Sequence, residues 1–248
     1  MTPLDTFSFR QIKCGIERFP GYSLPRHRHL QPYATVVLEG CFEQAGYAGR
    51  IRATAGDILI HPALDCHANN IVSSSVRLVR LNWSDSSGSG AFYRLGDIDE
   101  IARVAEKDPQ DAAVLLESCV ASSSRESAER RNDWPDVLAQ ALRHNASLEI
   151  GEWAQENDLA LETVSRGFRM AYGVPPTIFR AELRARSAWL RITRGSEPLC
   201  AVASQSGFAD QSHMTRWISR ISGSPPSVWR ERQRGRQGER ETERLLRS

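Results

Sequence analysis

Long apolar runs are missing from this chain: nothing in its 248 residues approaches roughly eighteen consecutive apolar positions, and no basic-then-apolar leader stands at its start. Neither a membrane span nor a secretory signal is therefore expected, which points to a soluble cytoplasmic protein with no membrane partner. Cysteine is scarce, and Cys14, Cys41, Cys66, Cys119 and Cys200 are odd in number, widely spaced and without a C-x-x-C pair. That usage argues against a disulfide scaffold or a zinc finger and suits a reducing compartment. A strong net charge is also absent, the total being +2, but the charge is unevenly shared. Residues 147–248 carry sixteen basic and twelve acidic side chains, whereas residues 1–146 carry sixteen and eighteen. Contact with a polyanion is expected of the C-terminal part alone. An apolar content of 40% with 25% charge is that of a globular protein, and the length allows one large or two ordinary domains.

What the chain does contain is a repeat. The stretch VSRGFRMAYGVPPTIFR from Val164 returns as MTRWISRISGSPPSVWR from Met214, fifty residues later. Arg166 falls on Arg216, Gly173 on Gly223, Pro175 and Pro176 on Pro225 and Pro226, and Arg180 on Arg230. Two copies are too few for a solenoid and suggest two equivalent subdomains. In the second copy Leu199, Val202 and Ala203 form a short apolar stripe, Ser206-Gly207 breaks it, and Asp210 caps a new helix. That helix is expected to bury Met214, Trp217, Ile218 and Ile221 until Gly223 and Pro225 stop it. At about 100° per residue its opposite face presents Ser212, Thr215, Arg216 and Ser219, with Gln211 at the edge. In the first copy Ile150, Trp153 and Ala154 form the stripe, Asn157-Asp158 the turn, and Val164, Phe168 and Ala171 the buried side. Glu162, Ser165, Arg166 and Arg169 face outward. Gly167 stands where the second copy has Trp217, so a close helix contact or a weaker first motif is expected there.

Each copy thus reads as a helix-turn-helix whose second helix offers short polar groups and an arginine, as reading a major groove requires. Between Thr163 and Arg230 there are ten arginines and three acids, a balance that favours a polyanion over a merely solvated helical bundle. The stretch from Ser147 to Arg232, above all GFADQSHMTRWISRISGSPPSVWR, resembles the DNA-binding domain of AraC-type transcription regulators. The resemblance implies two helix-turn-helix units joined by a long helix over about Pro176 to Thr193 and set into successive major grooves of double-stranded DNA. It places DNA contacts on Glu162, Ser165, Arg166 and Arg169 in the first unit, and on Gln211, Ser212, Thr215, Arg216 and Arg220 in the second. Glu162 either accepts from a cytosine amino group or serves as a first-turn acid favoured by the helix dipole.

Residues 1 to about 83 read as β-structure, with β-branched runs at Tyr33–Leu38 and Val76–Leu81 and glycine turns at Gly40 and Gly56. Gly21-x5-His27-x-His29, followed by Gly56-Asp57-x4-Pro62 and His67, resembles the two motifs of cupin barrels, and AraC-type regulators commonly carry such a sensor barrel. This implies an effector pocket at His27, His29, Tyr33 and His67. Metal-binding cupins add a glutamate that Tyr33 replaces here. No cofactor is required by the sequence, yet His27, His29 and His67 offer three imidazoles to a divalent metal. The other reading makes them polar groups around an organic effector. Cys66 is a thiolate ligand, a redox sensor or an inert core residue.

The expected architecture is an α+β two-domain chain: a cupin-like β-barrel over 1–83, a connector and helical dimerisation segment over 84–121, a linker over 122–133, a DNA-binding domain over 134–232 and a charged tail over 233–248. Helical spacing around Ile98 to Val120 suits either a cover for the barrel or a homodimer contact, and the resemblance favours the latter. The resulting function is a non-enzymatic, effector-controlled transcription regulator, with RNA polymerase as a partner in the case of an activator. Its rivals are a cupin metal-dependent oxygenase or isomerase with an accessory helical half, and a constitutive regulator whose barrel is only structural.

Overall fold

The computed structural model describes residues 10–84, 90–123 and 129–235. The central parts of the expected connector and linker, and the tail from 236 onward, lie outside the described residues. The chain divides into two compact units, one comprising 1–141 with 150–176 and the other 142–149 with 177–248. This division cuts across the boundary expected at residue 134.

Among the described residues the first unit opens with nine strands: β1 (Gly15–Pro20), β2 (Ser23–Arg28), β3 (Tyr33–Glu39), β4 (Cys41–Gly46), β5 (Gly49–Thr54), β6 (Asp57–His61), β7 (Cys66–Ile71), β8 (Ser75–Asn82) and β9 (Ala91–Arg94). Helices α1 (Asp99–Lys107) and α2 (Pro109–Ala121) and the two-residue strand β10 (Glu129–Arg130) follow. All pairings among the described residues are antiparallel, in two five-stranded sheets of order β1-β8-β3-β6-β9 and β10-β5-β4-β7-β2. The β-domain thus takes strands from beyond residue 83. Four residues of β9 and two of β10 are too short to leave a periodic signal.

Strand β3 is buried along five consecutive positions, as a continuous apolar run predicts for a strand covered on both faces. On its inner face Val37 joins Leu59, Val76, Leu78 and Phe92 against Phe42, Ile51 and Ala53 of the second sheet. On its outer face Ala34 and Val36 pack with Ile58, Ile60, Val79 and Leu81 beneath Ile101, Ala105, Ala112, Ala113, Leu116 and Val120. The apolar stripe of α1 and α2 therefore covers the first sheet. Asp108 caps α2 by accepting from the Gln110 amide at 2.7 Å, with Pro109 in the first turn.

The same unit includes most of α3 (Trp134–His144), together with α4 (Ile150–Glu156) and α5 (Leu161–Tyr172). Helix α3 buries Leu138, Ala139 and Leu142, while Val137 is exposed. The second unit contains α6 (Pro176–Arg194), α7 (Leu199–Gln205), α8 (Gln211–Ser222) and a helix over 226–235. Its core takes Ala185, Ala188, Ile192, Val202, Ala203, Met214, Ile218 and Ile221. Trp189 meets Trp229 edge-on at 5.4 Å. Among the described residues no helix is long and apolar enough to cross a membrane.

Candidate nucleic-acid interface and inner cavity

The two repeats build the same local structure. Helices α4 and α7 end in turns where Asp158 and Gly207 take left-handed backbone, at φ 54° and 74°. The following amides of Leu159 and Phe208 donate back to Ala154 and Ala203 at 2.9 and 3.0 Å. Asp210 caps α8 by accepting from the His213 amide at 2.7 Å. At the far ends Gly173 and Gly223 adopt the left-handed cap and donate to the carbonyls of Arg169 and Ser219, a conformation that favours glycine.

Val164 and Phe168 are fully buried on α5, as are their equivalents Met214 and Ile218 on α8. Glu162, Ser165, Arg166 and Arg169 are exposed on α5, as are Gln211, Ser212, Arg216 and Arg220 on α8; Thr215 is half-buried. The polar faces thus point to solvent. Two details depart from expectation. Trp217 is half-buried rather than buried, because its indole lies along the helix, donating to His213 Nε2 at 3.1 Å under the Arg220 guanidinium. Ala171 is also half-buried, and the neighbouring Tyr172 takes the core position instead. The close contact expected at Gly167 is present: a Cβ there would lie 2.4 Å from the Trp134 ring.

Several of the arginines are used internally. Arg180 and Arg230, equivalent in the repeat, donate to the carbonyls of Leu148 and Glu197, each at 2.6 Å. Each pins the segment before the first helix of a motif, which explains the recurrence of an arginine after the Pro-Pro stop. Arg184 donates to the Ala146 carbonyl and Arg191 pairs with Glu197.

Inside the sandwich lies a cavity of about 370 Å³ lined by His27, His29, Tyr33, Thr35, Gln44 and His61 among others. Strands β2 and β7 bring His27 opposite His67 in register, and the ring centres of His27, His29 and His67 lie 4.7–5.7 Å apart. His27 Nδ1 donates to the Pro25 carbonyl at 2.8 Å and His29 Nδ1 to the Arg10 carbonyl at 2.7 Å. A carbonyl only accepts, so both rings carry the proton on Nδ1 and leave the Nε2 lone pair open. Buried Asp65 accepts from Nδ1 of both His61 and His67 at 3.1 Å, and Tyr33 OH reaches His67 Nε2 at 3.3 Å. His61 and Asp65 escaped sequence reasoning. Only the β6–β7 turn brings them to His67.

Burial lowers His27 to about 4, and it lowers His29 to about 3, where His27 adds to the effect. Burial also lowers His67 to about 3 against the pull of Asp65. Burial works to raise the Asp65 carboxyl, but the bonds from His61 and His67 outweigh it and hold the group well below the ordinary range. The Asp65–His67 contact is then a neutral imidazole donating to a carboxylate. Burial, with Asp65 adding, pushes the Tyr33 phenol well above 10.

The second sheet also grips α5. Arg50 of β5 donates to Asp136 at 3.0 and 2.8 Å and pairs with Asp133. Asp136 accepts from the hydroxyl of fully buried Tyr172 at 2.6 Å. Arg26, next to His27 on β2, donates to the Tyr172 carbonyl at 3.2 Å.

Residues 153–232 match the family model of a helix-turn-helix domain. No curated protein matches the chain. Among solved structures, ToxT from Vibrio cholerae is 11% identical over 88% of this chain and 96% of that one, with a TM-score of 0.39. The C-terminal domain of AraT, a response regulator from Geobacillus stearothermophilus, is 15% identical over 42% of this chain and 88% of that one, at 0.39. A probable AraC family transcriptional regulator from Rhodopseudomonas palustris is 18% identical over 39% of this chain and 93% of that one, at 0.37.

Proposed function

We propose that this chain, whose residues 153–232 match the family model of a helix-turn-helix domain, is a sequence-specific DNA-binding transcription regulator of the AraC type, controlled by a small molecule in the inner cavity. The observation that carries the reading is the repeated pair of helices, α5 and α8, each with a buried apolar back and an exposed polar face. Arg166 and Arg216 donate to guanine edges or phosphates, while Ser165, Gln211, Ser212 and Thr215 supply shorter polar contacts. Glu162, in the first turn of α5, also complements the helix dipole. The effector is a small polar molecule, because the cavity offers imidazoles, Thr35, Gln44 and Arg80 as hydrogen-bonding partners. Control runs through the grip on α5: His27 faces the cavity, and its neighbour Arg26 holds the carbonyl end of that helix. An effector that binds one setting of β2 more tightly shifts DNA affinity by that difference. Pairing with a second copy of the chain, and with RNA polymerase in the case of activation, belongs to the same reading.

A DNA footprint with and without cell extract as an effector source tests it. Protection of a defined site that changes with extract is expected, and indifference to every promoter fragment would sink the reading.

The open Nε2 atoms of His27 and His29 favour one variant, in which the effector is a divalent transition ion. Candidate ligand atoms of His27, His29 and His67 lie within 4.8 Å of one another. The backbone bonds to Nδ1 are the outer contacts that orient metal-binding histidines, although an ion must displace the Tyr33 hydroxyl from His67. Chelation lowers the melting temperature on this variant and leaves it unchanged for an organic effector.

A further inference from the structure

A second cavity, of about 660 Å³, lies on the outer face of the second sheet. Strand alternation builds it. Glu43 and Ala45 of β4 share that face with their partners Arg52 and Arg50 of β5 and with Asn70 and Ala68 of β7. Ala45 and Ala68 are a direct cross-strand pair, and two methyl side chains side by side leave the sheet hollow there. Met170, Ala171 and Gly173, from the last turn of α5 and its cap, close the other side.

The chemistry of this cleft has two parts. Five arginines line it, Arg10, Arg26, Arg50, Arg52 and Arg131, against the single carboxylate of Glu43. Arg50 is occupied by Asp133 and Asp136, and Arg131 by Glu43. Arg10 and Arg52 are exposed, and Arg52 stands across from Glu43 of β4 and Glu129 of β10. The other part is apolar: Met170 is 82% exposed, a large flexible side chain left in water beside the alanine floor.

We propose that this cleft, which shares Arg10, Leu24, Gln44 and Asn69 with the lining of the inner cavity but adds Arg52, Ala45, Ala68 and Met170, is a binding site of its own for a small organic anion. A carboxylate or phosphate group lies against Arg52 and its arginine neighbours, and an apolar body lies over Ala45 and Ala68 under Met170. Guanidinium forks match both kinds of head group, and the volume is that of a small-molecule site. Because the anion touches the end of α5, it bears on the first reading helix. That consequence rests on the DNA-binding reading above, whereas binding itself does not.

Calorimetric titration of the full chain with octanoate, hexyl phosphate, octanamide and inorganic phosphate tests both parts. Saturable binding of octanoate or hexyl phosphate is expected, with octanamide and inorganic phosphate failing at the same concentration; the better of the two anions identifies the head group. Arg52→Glu and Met170→Asp should each weaken binding by roughly tenfold or more while the ligand-free melting temperature stays put. Several results overturn the site: no saturable binding of either amphiphilic anion, equal binding of octanamide or inorganic phosphate, or binding kept in Arg52→Glu and lost in His29→Asn, which moves the ligand to the inner cavity. A chain that binds octanoate but no DNA keeps the cleft and discards the regulator; the converse discards only the cleft.

Discussion

A methyl group at position 167 would sit 2.4 Å from one carbon of the Trp134 ring and 2.8 Å from the next. Replacing glycine by alanine inside a helix ordinarily stabilises by about 1 kcal/mol, but here the indole must move, and overpacking costs about 1–3 kcal/mol. Gly167→Ala should therefore lower the melting temperature, and Trp134→Leu in the same chain should recover part of the loss. A Gly167→Ala protein that melts higher than the parent would contradict the contact. On α8 the corresponding Trp217 is half-buried and Ile218 fully buried. Ile218→Ala should cost about 2–5 kcal/mol and Trp217→Ala clearly less, an order that thermal melts of the two variants will check. Periodicity put both residues on one face, yet it could not see that an indole at the edge of that face would lie along its own helix. The outward arginines were easier to read, since exposure needs only the phase of the helix.

At the scale of elements, the inner cavity is the place where sequence reasoning stopped halfway. His27 and His29 alternate within β2, and His67 pairs with His27 across the β2–β7 ladder, so a motif reveals those three. His61 and Asp65 enter through the geometry of the turn after β6, which no spacing rule encodes. The cluster has a consequence for acid stability. His27, His29 and His67 have folded values near 4, 3 and 3, below the unfolded value of about 6.5. In that interval the unfolded chain binds more protons, so stability rises with pH. The contribution is complete above about pH 6.5 and is lost as pH falls towards 4 and then 3. The melting temperature should decline across this window, with a shallower slope in His67→Asn. A slope that the variant leaves unaltered would mean that the ring is not buried neutral. The grip on α5 gives a second element-scale expectation. Tyr172→Phe removes a 2.6 Å bond to ionised Asp136, and hydrogen bonds to charged groups contribute about 1.5–3 kcal/mol. Hydrogen exchange at the end of α5 should quicken in that variant, while protection of α8 remains as it was.

Across the whole molecule, the duplication was legible because identical caps, stops and apolar phases recur fifty residues apart. The division into units was not, because it depends on Arg50 and Asp136, which lie outside the repeat, and on Tyr172, whose counterpart in the second copy is Ser222. Arg50, Asp136 and Tyr172 join the second sheet to α3 and α5, so the first motif clusters with the β-domain and the second with α6. A molecule assembled in this way raises the question of whether both motifs engage DNA together. Arg166 and Arg216 occupy equivalent exposed positions, and each replacement by alanine should weaken operator binding by about 1–3 kcal/mol without changing the melting temperature. If both helices read the duplex in one complex, the double variant should lose close to the sum of the two, since separated sites without shared partners add to within about 0.5 kcal/mol. If only α8 reads bases while α5 stays held by the β-domain, Arg166→Ala should be silent and the double variant should match Arg216→Ala. Adding the effector source then separates the alternatives: an effector that frees α5 makes the Arg166 loss appear only in its presence. Binding isotherms of the four proteins at one fixed salt concentration, with and without extract, decide between them, because phosphate attraction alone would let the losses drift with salt.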